Sequence, residues 1–207
     1  MKLIIFGATG TVGRRLVEEA LEQGHHVTAF ARHPESLKSA HQNLNRQSGD
    51  VLDPSAVVDA VKGHDAVLIA LGAGRKGIVR EVGTKHIIDA MHHCDTRRLV
   101  CLSSLGVGES RALLTFFWKY IMFGFLLKAA YVDQEAQEKL VRQSELDWTI
   151  VRPSAFTDGP ATEDYKHGFP MTEKHLKLKI SRADVANFML KQLGDSTYLR
   201  QMPGLSY

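Results

Sequence analysis

The residues with the clearest chemical purpose come first in the chain: Gly7-Ala8-Thr9-Gly10-Thr11-Val12-Gly13 follows directly on the apolar run Lys2 to Phe6. Glycine at Gly7 permits a tight turn, at Gly10 it lets backbone approach a ligand without a Cβ in the way, and at Gly13 it lets helix and strand pack closely. The helix that starts at Thr11 offers unpaired N–H groups and partial positive charge to an anion. In this strand-turn-helix context the loop predicts a pyrophosphate cradle formed by Gly7, Thr9, Gly10, Thr11, Val12 and Gly13.

Chains that bind NAD usually place an acid about 20 residues after such a loop, where it accepts from the ribose hydroxyl. Here that position reads Phe30-Ala31-Arg32-His33. The carboxylate is missing, and the Arg32 guanidinium matches a 2′-phosphate instead. NADP(H) is therefore the expected cofactor. Asp50 and Val51, at the end of a third strand, are placed to meet the adenine, and Arg14 brings positive charge to the helix start or simply lies at the surface.

Ser103 and Ser104 end another strand and stand as the catalytic candidates, through positioning of nicotinamide or substrate rather than proton transfer. The paired tyrosine and lysine that often serve carbonyl reduction are absent: four residues after Tyr120, Tyr131, Tyr165 and Tyr198 come Gly124, Glu135, Phe169 and Met202. A phenol with a pKa of about 10 needs such a cation to exchange protons near neutrality. Asp133, Glu135, Glu138 and Lys139 share one helix, with Glu135 and Lys139 read as a surface pair. His92-His93-Cys94 points to different helix faces, so no metal site is expected.

The elements that must position these groups alternate regularly. Strands are expected at Lys2 to Phe6, His26 to Ala31, Leu44 to Ser48, Asp65 to Leu71, Leu99 to Leu102 and Trp148 to Val151. Helices are expected at Thr11 to Gln23, Pro34 to Ala40, Pro54 to Val61, Gly77 to His93, Gln134 to Gln143 and from Ser181 to about Leu193. Lys174 to Ile180 alternates like a strand with one wet face. Strands joined by helices run parallel, which predicts an α/β fold: a doubly wound parallel sheet in one domain over residues 1–207.

Taken in order, the heptad, Arg32, Gly49-Asp50-Val51, Leu71-Gly72-Ala73, Ser103-Ser104 and Trp148-Thr149-Ile150-Val151-Arg152-Pro153 resemble the atypical short-chain dehydrogenase/reductases of Rossmann fold, within the NmrA-like and flavin reductase-like NAD(P)H-binding group. The resemblance implies that Leu71, Gly72 and Ala73 pass under the cofactor's ribose. It also implies that Ser103 and Ser104 border the nicotinamide, and that the loop with Pro153, Ser154 and Ala155 closes over it. With no tyrosine-lysine pair, the expected activity is NADPH-dependent hydride transfer to a planar acceptor such as a flavin or quinone. The alternatives are a non-catalytic NADP(H) sensor acting through a partner, and more distantly an epimerase.

A formal net charge of +3 does not argue for nucleic acid, and Cys94 and Cys101 lack metal or disulfide-framework spacing, so a reducing, cytoplasmic setting and a small-molecule partner are expected. Ala112 to Ala130 is the only candidate membrane segment, but Lys119 and Lys128 interrupt it. Within it Leu113 to Leu127 carries Phe116, Phe117, Trp118, Phe123 and Phe125, an apolar helix that needs a cover. It is expected to wall the acceptor site beside the nicotinamide; an oligomer surface and a membrane-surface helix are the other readings.

Overall fold

The structure is a computed structural model and describes residues 1–72, 77–114 and 127–207. Ala73 lies outside the described residues, as do Phe116, Phe117, Trp118, Phe123 and Phe125.

Six strands, β1 (Lys2–Phe6), β2 (His26–Ala31), β3 (Leu44–Ser48), β4 (Ala66–Ile69), β5 (Arg98–Leu102) and β6 (Asp147–Pro153), pair in parallel in the order β3-β2-β1-β4-β5-β6. Every residue of β4 is buried, as expected of a strand covered on both faces. One cover is made by α1 (Thr11–Glu22) and α5 (Arg182–Lys191), through Leu16, Val17, Val185 and Met189. The other is made by α2 (Pro54–Val61), α3 (Val79–His93) and α4 (Lys128–Gln143), through Val57, Ile87, Met91 and Val141. After β1 the chain builds outward through β2 and β3, then returns to β1's other edge with β4. The carboxyl ends of β1 and β4 therefore flank the switch point, where this architecture binds ligands.

The carboxyl-terminal part adds β7 (Ala155–Thr157), β8 (Lys166–His167), β9 (Lys179–Ser181) and β10 (Gly204–Ser206). β10 extends the large sheet parallel to β6, β8 closes its edge antiparallel to β10, and β7 with β9 forms a separate parallel pair. Among the described residues no helix is long and apolar enough to cross a membrane.

Three expectations change. The helix expected from Pro34 to Ala40 is a single 3-10 turn, Pro34–Ser36, because the Leu37 carbonyl is taken by the Arg46 guanidinium at 2.9 Å. The strand expected from Lys174 shortens to Lys179–Ser181, since Leu178 is left-handed at φ 52° and breaks the pleat. At the ends of the segment Ala112 to Ala130, Ala112 and Leu113 belong to a 3-10 turn, Gly108–Leu113, and Lys128 opens α4, while the helix expected between them lies outside the described residues.

Asp184, fully buried at the start of α5, holds the carboxyl-terminal part together. It accepts from the Thr162 and Glu163 backbone N–H groups at 2.7 and 2.8 Å, from the Ser181 hydroxyl at 2.9 Å and from the Tyr207 hydroxyl. Burial alone would raise its pKa, but these donors outweigh burial and hold it below the usual carboxylate value. A depressed folded pKa stabilises above the unfolded value and is lost as pH falls through the folded one. Asp184→Ala is expected to cost about 2–4 kcal/mol in urea unfolding at neutral pH, with the deficit shrinking below about pH 4.

Candidate functional site

At the switch point the structure brings Gly7, Thr9, Gly10, Arg32, Asp50, Val51, Leu71 and Gly72 around one cleft of about 560 Å³. The heptad is shaped by close backbone contact. A Cβ on Gly7 would lie 2.4 Å from the Ala70 carbonyl oxygen, and one on Gly13 2.1 Å from that of Gly7, so only glycine lets α1 enter here. Thr11, Val12 and Gly13 form the first turn of α1. That turn has no side-chain cap and no acid, whereas Asp53 caps α2 and Ser181 caps α5. Its N–H groups are thus left for an outside acceptor, which suits a pyrophosphate.

Arg14 proves to be a strut: its guanidinium donates to the Thr9 carbonyl at 2.9 Å and to the Ser36 carbonyl at 2.8 Å, tying the cradle to the turn that carries Arg32. Arg32 itself is exposed, and its guanidinium has no partner among the described residues. Under the adenine-side wall, a Cβ on Gly49 would strike the Phe30 ring at 2.5 Å, and the Val51 carbonyl lies 3.0 Å from Nδ1 of His86. His86 carried no sequence signal, because its role depends on α3 crossing β3's exit.

The remaining expected site residues, at the carboxyl ends of β5 and β6, do not line that cleft. Pro153 lies beside Leu105, whose N–H donates to its carbonyl at 2.7 Å, and Ser154 and Ala155 follow. The Ser154 hydroxyl oxygen is buried without a hydrogen-bond partner among the described residues. Ser103 and Ser104 both turn toward α4: Ser103 donates to Glu138 Oε1 at 2.5 Å and Ser104 to Gln134 Oε1 at 3.0 Å. Each hydroxyl proton is committed inward, which leaves each oxygen acceptor capacity only.

Beneath them runs a buried charge network. Arg152 is 1% exposed and grips Glu138 through Nε at 2.9 Å and Nη2 at 2.6 Å, while its Nη1 meets Glu109 at 2.6 Å. Burial would lower the pKa of Arg152, but hydrogen bonds and charge from the two acids raise it. Asp133, 3% exposed, accepts from the Arg80 and Glu81 backbone N–H groups at 3.2 and 3.0 Å and faces the Arg80 guanidinium. The surface pair expected between Glu135 and Lys139 is not formed; Glu135 accepts from the Tyr131 hydroxyl at 2.9 Å. Sequence reasoning missed this network, although a charged residue inside the apolar strand Trp148 to Pro153 is itself a signal that partners must exist. Arg152→Met is expected to destabilise by about 3–5 kcal/mol because Glu138 stays buried without its cation, and Glu138→Leu added to it is expected to restore most of the loss in the same urea titration.

Comparison with known proteins agrees with this geometry. The NAD(P)H-binding family matches residues 7–196. Protein YwnB of Bacillus subtilis is 31% identical over 204 residues, covering 93% of this chain and 92% of its own length. Among solved structures, the anaerobillin reductase ChuY of Escherichia coli O157:H7 superposes with a TM-score of 0.80 at 26% identity, covering 100% of this chain and 97% of that one. A short-chain dehydrogenase/reductase of Veillonella parvula in complex with NADP has the same fold, with a TM-score of 0.82 at 20% identity over 100% of this chain and 94% of the other. With a bare cradle at the switch point of a Rossmann-type sheet and a family match over nearly its whole length, the chain belongs to the NAD(P)H-binding family.

Proposed function

We propose that the chain is an NADPH-dependent reductase acting on a planar, electron-poor acceptor such as a flavin or quinone. The observation that carries the cofactor choice is the free Arg32 guanidinium at the rim of the cleft, at a position where no carboxylate competes for it. When bound, the reduced nicotinamide supplies a hydride. The chain's own residues bind and orient: the first turn of α1 and Gly10 hold the pyrophosphate, Asp50 and Val51 the adenine side, and Leu71 and Gly72 the ribose. Ser154, with its unpartnered hydroxyl, together with Pro153 and Ala155 lies over the nicotinamide.

The acceptor class follows from protons. Ser103 and Ser104 already donate to α4, and burial together with the Glu135 hydrogen bond and charge raises the pKa of the Tyr131 phenol. These residues position an acceptor without protonating it, which suits acceptors whose protonation is easy once hydride has arrived. The similarity to ChuY, an anaerobillin reductase, supports a reductase.

The direct test is loss of nicotinamide absorbance with flavins, quinones, biliverdin and simple carbonyls as acceptors. Turnover is expected with the first three and not with simple ketones. Arg32→Ala is expected to weaken NADPH by about 1.5–3 kcal/mol and to leave NADH unchanged, read by titration calorimetry. Equal losses for both would remove the 2′-phosphate assignment. Tyr131→Phe is expected to keep turnover within a few fold of the parent, against the hundredfold or greater loss, roughly, that removal of a general acid brings.

A further inference from the structure

Outside the cleft, one exposed aromatic residue stands out at the end of the sheet that carries Ser103 and Pro153. Phe156 is 38% exposed, three residues beyond the end of β6, and the Arg182 guanidinium carbon lies 5.4 Å from its ring centroid. Arg182 is three-quarters covered, yet its Nε is buried with no hydrogen-bond partner. Its one anionic contact is Asp158 at 2.8 Å, on a side chain that is 91% exposed. An ion pair with so exposed a carboxylate contributes little and is readily exchanged for another anion. The buried Nε is the costly part, since a charged donor without an acceptor has lost its water and gained nothing.

The surroundings reinforce the charge. Residues 174–182 contain Lys174, Lys177, Lys179 and Arg182 and no carboxylate. The three lysines are exposed; β9 pairs Lys179 with Ala155 and Ile180 with Phe156, so Lys179 lies on the opposite face from Phe156 and the lysines add only to the positive charge of the region. An aromatic face beside a guanidinium whose carboxylate partner is exposed, in a region of positive charge, matches a flat conjugated ring bearing an anionic side group.

We infer that Phe156 and Arg182 form the acceptor's docking point and select a planar acceptor that carries a carboxylate or phosphate. Phe156 stacks on the ring system while Arg182 exchanges Asp158 for the ligand's anion. The inference deepens the reductase reading, on which it rests only for placing an acceptor beside β6. Neither residue transfers a proton or touches the hydride; they determine specificity.

Two ligand pairs test it by binding alone. FMN and riboflavin differ by the phosphate, and biliverdin and its dimethyl ester by the two carboxylates; each is titrated against the protein with NADP+ present, following quenching of flavin fluorescence or the change in bilin absorbance. The anionic member of at least one pair is expected to bind about tenfold or more tightly than its neutral partner. The pair that shows the preference identifies phosphate or carboxylate as the group recognised. Arg182→Ala is expected to abolish the preference, Arg182→Lys to keep part of it, added salt to erode it, and Phe156→Ala to weaken both members of the pair. Equal affinities within both pairs, no binding by any of the four, or an Arg182→Ala loss shared equally by anionic and neutral members would overturn the inference. Selective anion binding without any consumption of NADPH would leave it standing and remove the reductase reading instead.

Discussion

A guanidinium that is 1% exposed at the end of a central strand imposes conditions on everything near it. Taking Arg152 out of water is tolerated only if carboxylates and good hydrogen-bond geometry replace the lost hydration. Glu138 supplies a two-point grip, which requires that α4 lay this face, and no other, on β6. Glu109 supplies the second acid, which requires the chain after β5 to double back. It does so through Gly106 at φ 107° and Gly108 at φ 57°, where a Cβ would crowd Arg152 Nη2 at 3.3 Å. Ser103 then has a carboxylate within reach and donates to it. One buried charge thereby fixes a helix, a loop and the direction of a hydroxyl.

The other half of the sheet's carboxyl edge is built on the opposite plan. Around the cradle, side chains are removed rather than paired: Gly7, Gly10 and Gly13 bring backbone to backbone, and α1 keeps its first turn uncapped. α2 and α5 are capped by Asp53 and Ser181 and the first turn of α3 donates to Asp133, whereas α4, like α1, has no side-chain cap. Leaving the start of α1 bare forgoes a cap worth about 1 kcal/mol, a cost that an incoming diphosphate offsets when it supplies the missing acceptors. Arg14 keeps that bare loop rigid by bonding its carbonyl rather than its donors, so the strut does not compete with the ligand.

The difference between these halves explains what could be read from the residues alone. The cradle was legible because its signal is local: seven consecutive residues between a strand and a helix, with Arg32 at the expected distance. The alternating strands and helices were legible because parallel strands buried on both faces are continuously apolar, as β4 is. The Arg152 network was not, because its members are spread over β6, α4 and the turn after β5, and because α4 carries charges on both buried and exposed faces. Asp133 and Glu138 lie on the buried side of α4 and Glu135 and Lys139 on the exposed side, but because both sides carry charges hydropathy does not mark which one faces inward. The alternation of Lys174 to Ile180 misled for a similar reason: Leu178 adopts a left-handed conformation because the Lys177 N–H is bound to the Tyr207 carbonyl at 2.7 Å, a contact across 30 residues of sequence.

The chemistry left open at the carboxyl ends of β5 and β6 follows from how each polar group there is engaged. The Cys101 thiol is fully buried, and burial with the nearby Glu138 charge pushes its pKa far up, so it offers no thiolate. Arg80 is neutralised by Asp133 and Arg152 by two acids, so neither is a free cation able to lower the pKa of a neighbouring hydroxyl. Ser103 and Ser104 point their protons at α4, and Tyr131 points its own at Glu135, an acceptor that opposes ionisation. Ordinary ketone reduction needs a donor poised to protonate a developing alkoxide, and among the described residues Ser103, Ser104 and Tyr131 are turned away from that task. A flavin or quinone makes no such demand, because the negative charge left by hydride spreads over a conjugated ring and water protonates it. The same inward bonding that stabilises Arg152 thus supports the proposed choice of acceptor.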